Sequence, residues 1–125
     1  MPTLPEEVHE VLKHDGAAAI MTLGEDGPHL VGTWQSYIEM DGNSLVIPAG
    51  GYHVTERNVE AGSKVVLLIG GEQNEAPKGH NGTGFRLEGS GSFITEGPVW
   101  ERTRERFPWA RAAFVIRVVD WERLV

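Results

Sequence analysis

A pair of glycines followed by a hydroxyl residue is the part of this sequence best suited to hold a ligand. Gly50 and Gly51 precede the run Tyr-His-Val-Thr-Glu-Arg, in which a short helix is predicted around Thr55. Adjacent glycines leave backbone N–H groups open, and a helix N-terminus with a hydroxyl cap attracts anions. The segment is therefore a candidate phosphate cradle. A plain turn with an N-capping threonine is the alternative, and the segment alone favours it because N-cap threonines are common.

Other groups that carry chemistry are absent or scattered. The chain has no cysteine, and its five histidines, at positions 9, 14, 29, 53 and 80, show neither the i, i+4 spacing nor the clustering of a zinc or iron site. We find no Ser/His/Asp set and no paired carboxylates to act as acid, base or nucleophile. The glycines at 82 and 84 precede a strand and offer no helix N-terminus to an anion. The sequence thus predicts no catalytic residue and no metal.

Charge and hydropathy exclude several classes of partner. The net charge is −7, and the sequence has no run of basic residues, so binding to nucleic acid is not expected. The longest apolar runs, near residues 65–69 and 112–116, are far shorter than a membrane span. The first residues, Met-Pro-Thr, do not resemble a secretory signal. We expect a cytoplasmic protein without a membrane partner.

The periodicity predicts a β-rich single domain over residues 1–125. Sixteen glycines and seven prolines indicate many tight turns, and 125 residues suit one core. Helices are expected after a capping box at Thr3 to Glu6, over 55–60 and over 97–106. Strands are expected over 17–23, 29–40, 44–49, 64–69, 85–93 and 110–119, the last in a central position, with an exposed loop over 70–82. Six strands joined by short hairpins favour an antiparallel barrel.

Several segments, taken together and in this order, resemble the small bacterial FMN-binding proteins. These segments are residues 24–31, Thr33-Trp34-x-Ser36-Tyr37, Pro48-x-Gly50-Gly51-x-His53-x-Thr55-Glu56, Gly82-x-Gly84-Phe85 and residues 106–113. The match spans nearly the whole chain. That family is a homodimeric split barrel related to the pyridoxamine 5′-phosphate oxidases. The resemblance implies the same mainly β fold, an antiparallel six-stranded split barrel with two or three short helices.

The resemblance also implies FMN as cofactor, with the flavin at a dimer interface. The second strand from Gly32 to Tyr37 and the turn from Pro48 to Gly51 would flank the isoalloxazine ring. Ser36 and Thr55 would hold the phosphate, and Trp109, Leu124 and Val125 would reach over the ring from the partner subunit. From the residues alone, Trp34, Tyr37 and Trp109 are equally compatible with core or interface positions. The cofactor-contacting residues expected are Gly32, Thr33, Trp34, Ser36, Tyr37, Pro48, Gly50, Gly51, His53, Val54, Thr55, Arg57, Trp109, Leu124 and Val125.

Two positions depart from the family pattern. Val54 stands where the family has a lysine before the phosphate-contacting threonine, and Gly32 replaces an asparagine. A cation paired with a partly buried phosphate is worth roughly 1.5–3 kcal/mol, so its loss weakens FMN binding unless His53 or Arg57 replaces it.

The resulting hypothesis is a flavoprotein for electron transfer or flavin-dependent oxidoreduction, served by a redox partner protein or a small-molecule reductant. The alternative is a split-barrel binding protein that has lost FMN or that holds a deazaflavin or haem.

Overall fold

Three helices and seven strands make up the part of the chain that the computed structural model describes, residues 4–72 and 82–124. The helices are α1 (Glu6–Leu12), α2 (His53–Glu60) and α3 (Pro98–Arg106), with a 3-10 turn at Gln35–Tyr37. The strands are β1 (Ala17–Gly24), β2 (Gly27–Trp34), β3 (Glu39–Asp41), β4 (Ser44–Ala49), β5 (Val65–Glu72), β6 (Gly82–Ile94) and β7 (Ala112–Arg123).

The strands form one antiparallel sheet in the order β2-β1-β5-β6-β7-β4-β3. The mainly β, antiparallel class predicted from the sequence is confirmed. β7 pairs with β6 on one side and β4 on the other, so its predicted central position is also confirmed. β2 lies at an edge of the described sheet, which leaves one row of its backbone N–H and C=O groups without a partner strand.

The strand predicted over residues 29–40 is wrong, and the count is seven strands instead of six. β2 ends at Trp34, and the chain turns through Gln35–Tyr37 before β3 begins. Gln35 is fully buried: its Nε2 donates to the carbonyls of Val11 and His14 at 3.3 Å, and its Oε1 accepts from the Gly70 N–H at 2.7 Å. A buried amide costs free energy unless it is hydrogen-bonded, and Gln35 reaches these three partners at the point where the strand is interrupted.

Two helix starts also differ from expectation. α1 begins after Pro5 with no side-chain cap, and Thr3 of the predicted capping box lies outside the described residues. α2 begins at His53, two residues before Thr55, so Thr55 is not its N-cap. The prediction of α3 is confirmed, with Pro98 as its first residue.

The predicted limits of the later strands need correction. β5 and β6 extend into the loop predicted over 70–82, as far as Glu72 and from Gly82, while residues 73–81 lie outside the described part. β7 runs over residues 112–123 instead of 110–119. Both changes lengthen paired strands, because the hydrogen-bonded ladders continue past the apolar runs that the pattern detects.

The core lies between α1 and the inner face of the sheet. Val8, Val11 and Leu12, predicted to share one face of α1, are all buried. The register of β6 against β7 shifts between Glu88 and Gly89, where a Cβ on the glycine would lie 1.9 Å from the Arg117 carbonyl oxygen. This bulge confirms that a glycine in the strand permits a bend.

Candidate functional site

Three separate segments of the chain form a cavity of about 260 Å³ beside the edge strand β2. The cavity is lined by Gly32, Thr33, Trp34, Tyr37, Pro48, Gly50, Gly51, Tyr52 and Trp109. All but Tyr52 were predicted from the sequence as cofactor contacts, although Trp109 was expected to come from the partner subunit and here lines the cavity of its own chain. Pockets for cofactors measure roughly 300–1,000 Å³, so this cavity is small for a whole cofactor.

Aromatic rings make one wall of this cavity. The ring centroid of Tyr37 lies 5.0 Å from Phe107 and 6.0 Å from Trp109, and those two rings are 5.6 Å apart. Trp109 also lies against Gly50, where a Cβ would come within 3.1 Å of its indole. The absence of a side chain at Gly50 therefore allows the indole to cover the turn. Trp109 and Trp34 remain 54% and 56% exposed, as expected of apolar surfaces that await a ligand or a partner.

Arg111 holds the glycine turn that forms the opposite wall. Its Nε and Nη2 donate to the Gly51 carbonyl at 3.0 and 2.7 Å, and Nη2 lies 2.8 Å from Glu56 Oε1. Its backbone N–H donates to the carbonyl of Ala49 at 2.8 Å. The turn is thus fixed from both sides of the Gly50–Gly51 peptide. The sequence analysis did not select Arg111, although it lies in the segment 106–113 that carried the resemblance.

Tyr52 joins the glycine turn to strand β2 and was also not selected. Its backbone has φ 65° and ψ 32°, the left-handed conformation, so the strained position is here and not at the glycines before it. Its hydroxyl donates to the carbonyl of Gly32, and its ring meets Phe114 edge-on at 6.4 Å. Burial raises the pKa of the Tyr52 hydroxyl, and the neighbouring Thr33 side chain lowers it by less. Its position directly after a glycine pair was the available signal.

Thr55 is the one buried side chain among the described residues whose polar atom has no hydrogen-bond partner. It lies in the first turn of α2 and is 1% exposed. A buried hydroxyl without a partner is unfavourable, and a bound ion is one of the features that account for such a group in native structures. A hydroxyl at the positive end of a helix dipole is suited to an anion. The residues present therefore fit a phosphate, although not through the N-cap that the sequence suggested.

Val54 and Arg57 lie together in a second cavity, of about 660 Å³, between α2 and the β1–β2 hairpin. They are three residues apart and share one helix face. Within residues 4–72 and 82–124 the Arg57 guanidinium forms no salt bridge, so its charge is available. His53 is the exposed first residue of α2.

Besides His53, Val54, Thr55 and Arg57 of α2, two predicted contacts lie away from this cavity and a third is outside the described residues. Ser36 lines a separate cavity with Lys13 and Arg106, and its carbonyl accepts from Arg106 Nη2 at 2.7 Å. Leu124 is 47% exposed and lies beside the end of β5 and the start of β6. Val125 lies outside the described residues. Their predicted contacts with a cofactor remain predictions.

Two further findings concern metals and membranes. No group of three or more His, Asp or Glu side chains suited to a metal ion occurs within the part of the chain that the structure covers. Over the same residues, no helix is long and apolar enough to cross a membrane.

Comparison with known proteins shows what this architecture is similar to. The chain is 50% identical over 121 residues to an FMN-binding protein of Nitratidesulfovibrio vulgaris (strain DSM 19637 / Miyazaki F), covering 96% of this chain and 98% of that protein. Its fold is similar to HupZ of Group A Streptococcus, with TM-score 0.76 and 17% identity over 97% of this chain and 94% of the other.

The fold is also similar to an FMN-binding protein from Syntrophomonas wolfei, with TM-score 0.72 and 16% identity over 96% of this chain and 85% of the other. The predicted split-barrel fold is confirmed by these neighbours. The family model described as pyridoxamine 5′-phosphate oxidase matches residues 4–123. The chain therefore belongs to the pyridoxamine 5′-phosphate oxidase family of split barrels.

Proposed function

We propose that this protein binds FMN, with the isoalloxazine ring in the cavity beside β2 and the phosphate at Thr55. The unpartnered, buried hydroxyl of Thr55 is the observation that carries this proposal. It lies three residues beyond Tyr52, which lines the ring cavity, so one short segment serves both ends of the ligand. The name of the 50% identical relative supports the same cofactor.

The cavity walls suit a flat ring with one polar edge. Trp109 and Tyr37 offer apolar surface, and the edge strand β2 and the glycine turn offer backbone N–H and C=O groups. A flavin needs apolar contact on its faces and a few fixed hydrogen bonds at its pyrimidine end. In this arrangement the backbone groups form the hydrogen bonds to the ring, and no side chain is required as acid or base.

A second copy of this chain completes the site in our proposal. The outer face of β1, β2 and β5 carries a contiguous set of apolar side chains, formed by Ala19, Met21, Leu30, Trp34, Val66 and Leu68. Leu30 is 68% exposed and Leu68 is 47% exposed. An apolar sheet face of this kind marks an interaction surface, and burying it in a homodimer would bring a partner chain next to Trp34 and the half-open cavity.

Arg57 supplies the cation that Val54 does not. Both residues line the same cavity, and the Arg57 charge has no ion pair within the described residues. A guanidinium can meet a phosphate with two hydrogen bonds, so Arg57 is the better replacement for the missing lysine than the titratable His53.

The chemistry supplied by bound FMN is electron transfer or a two-electron oxidoreduction, and the protein sets its binding and environment. The function proposed is therefore a cytoplasmic, homodimeric flavoprotein that exchanges electrons with a redox partner protein or a small-molecule reductant. The exposed Trp34 and Trp109 beside the cavity are compatible with either role.

Absorption spectroscopy tests the cofactor directly. We expect the purified protein to show flavin bands near those of free FMN, to release FMN on denaturation, and to take up added FMN stoichiometrically. Arg57→Ala should weaken binding about 10–100-fold if it meets the phosphate. Arg104→Ala, which removes an exposed arginine on the outer surface of α3, is the matched control and should leave the dissociation constant unchanged.

A protein that is colourless and ignores added FMN would overturn the proposal. Binding of a deazaflavin or haem under the same conditions would then favour the alternative cofactor. Unchanged FMN affinity in Arg57→Ala would reject Arg57 as the phosphate cation without affecting the cofactor assignment.

A further inference from the structure

Tyr52 holds a backbone conformation that a residue with a side chain rarely adopts. With φ 65° it is the only non-glycine residue with positive φ in the described part of the chain. Gly51, which would adopt this conformation at little cost, directly precedes it and does not use it. Strain of this kind persists where the surroundings enforce it, and it is concentrated at functional sites.

The left-handed conformation aims the Tyr52 side chain across the cavity. The ring meets Phe114, a buried residue of the central strand β7, edge-on at a centroid distance of 6.4 Å. Beyond the ring, the hydroxyl donates to the carbonyl of Gly32. Gly32 belongs to the edge strand β2, and Tyr52 follows the turn after β4. This hydrogen bond therefore joins two segments whose strands are first and sixth in the sheet order.

The two joined elements are the two backbone walls of the cavity. Gly32, Thr33 and Trp34 form one wall, and Gly50 and Gly51 form the other. The glycine turn is already fixed on its outer side by Arg111. In the described part of the chain β2 pairs with no strand except β1, and the Tyr52 hydroxyl is a direct contact between β2 and the turn.

We propose that Tyr52 is a positioning residue that fixes the width of the flavin cavity by tying the Gly32 carbonyl to the glycine turn. The inference rests on the proposed function for its ligand, but the tie itself is a property of the protein alone. Its loss should leave the fold intact, loosen the β2 wall and weaken flavin binding without removing any atom of that wall. An aromatic side chain that only filled the core would need no hydroxyl.

Tyr52→Phe is the decisive variant because it keeps the ring and the packing on Phe114 and removes the hydroxyl. In the protein without flavin we expect faster amide hydrogen exchange at residues 32–34, by about three- to tenfold, with exchange in the central strands β6 and β7 unchanged. The FMN dissociation constant should rise by a similar factor. Thr103→Val is the matched control, since it removes a buried hydroxyl that also donates to a backbone carbonyl, that of Val99 in α3, and exchange at residues 32–34 should stay as in the parent protein.

A second variant, Tyr52→Gly, removes the ring as well and relieves the strained backbone, so it should fold and show the same faster exchange at residues 32–34. Unchanged exchange there in both variants would overturn the tie. Faster exchange everywhere, including β6 and β7, would show a general packing role and would also overturn it. If the parent protein binds no FMN, the proposed function fails while the exchange measurement still decides whether Tyr52 positions the wall.

Discussion

Thr55→Val should make the flavin-free protein more stable and should weaken its binding of FMN. The hydroxyl is 1% exposed and has no partner among the described residues, so folding removes it from water without compensation. Leaving a hydroxyl in this state costs about 1–3 kcal/mol, and valine replaces it with a methyl group of similar size. We expect the flavin-free protein to gain about 1–2 kcal/mol of unfolding free energy.

That gain is large enough to measure in a melting curve. For 125 residues the unfolding entropy near the midpoint is about 0.26 kcal/mol/K, so the melting temperature should rise by about 4–8 °C at a fixed protein concentration. The same variant loses a hydrogen bond to a charged phosphate, worth about 1.5–3 kcal/mol, and FMN affinity should fall by about 10- to 150-fold. Stability and binding thus change in opposite directions.

Thr103→Val is the matched control for this prediction. Thr103 is also a buried helical threonine, at 5% exposure, but its hydroxyl donates to the Val99 carbonyl at 2.9 Å. Its replacement should destabilise the protein by about 1 kcal/mol and leave FMN affinity unchanged. The reasoning is refuted if Thr55→Val melts at a lower temperature than the parent protein, or if it binds FMN as tightly.

Three further perturbations follow from other contacts. Gln35→Leu should lower the unfolding free energy by about 2–3 kcal/mol in a urea titration, because the carbonyls of Val11 and His14 lose their donor and the partly buried Gly70 N–H loses its acceptor. A loss below about 0.5 kcal/mol would contradict the role given to the amide. Leu30→Glu should convert a dimer to a monomer in analytical ultracentrifugation, and an unchanged sedimentation coefficient would count against the apolar face as the interface. In Tyr37→Phe, the change in absorbance at 295 nm with pH reports the ionisation of Tyr52 alone. Because burial raises the pKa of Tyr52, its hydroxyl should ionise above pH 10 in the folded protein. The stability that the protonated Tyr52 contributes is present below pH 10 and is lost as the pH rises through the pKa of the folded state. A tyrosine that titrates identically in the folded and urea-unfolded protein would argue against that burial.

Much of the sheet could be predicted from local patterns. Alternation along β6, the hairpin turn after Gly24 and the apolar run of β7 each report on a strand's immediate neighbours. The clustering of seven expected contacts in one cavity followed from the resemblance. It placed Trp109 in the partner subunit, and no local rule connects Trp109 to Gly50.

The errors share a physical origin in contacts between distant residues. The strand expected over 29–40 breaks because Gln35 binds carbonyls of α1 and the N–H of Gly70, 35 residues away. Thr55 looked like an N-cap because its residue type favours caps, yet α2 begins two residues earlier, and its N-cap Tyr52 makes no side-chain capping bond and instead donates to Gly32. Propensity describes a residue and its near neighbours, and tertiary hydrogen bonds override it.

The sequence by itself determined the class of this protein: an acidic, cysteine-free, glycine-rich chain whose apolar periods specify an antiparallel sheet with one helix covering the core. Only the tertiary structure decided which polar groups were left without partners. Thr55 is significant because its hydroxyl is buried and unpaired, and Tyr52 because its side chain crosses from one wall to the other. The burial and the hydrogen-bond pairing of a polar atom are properties of the whole fold, since both depend on residues that come together only when the chain folds.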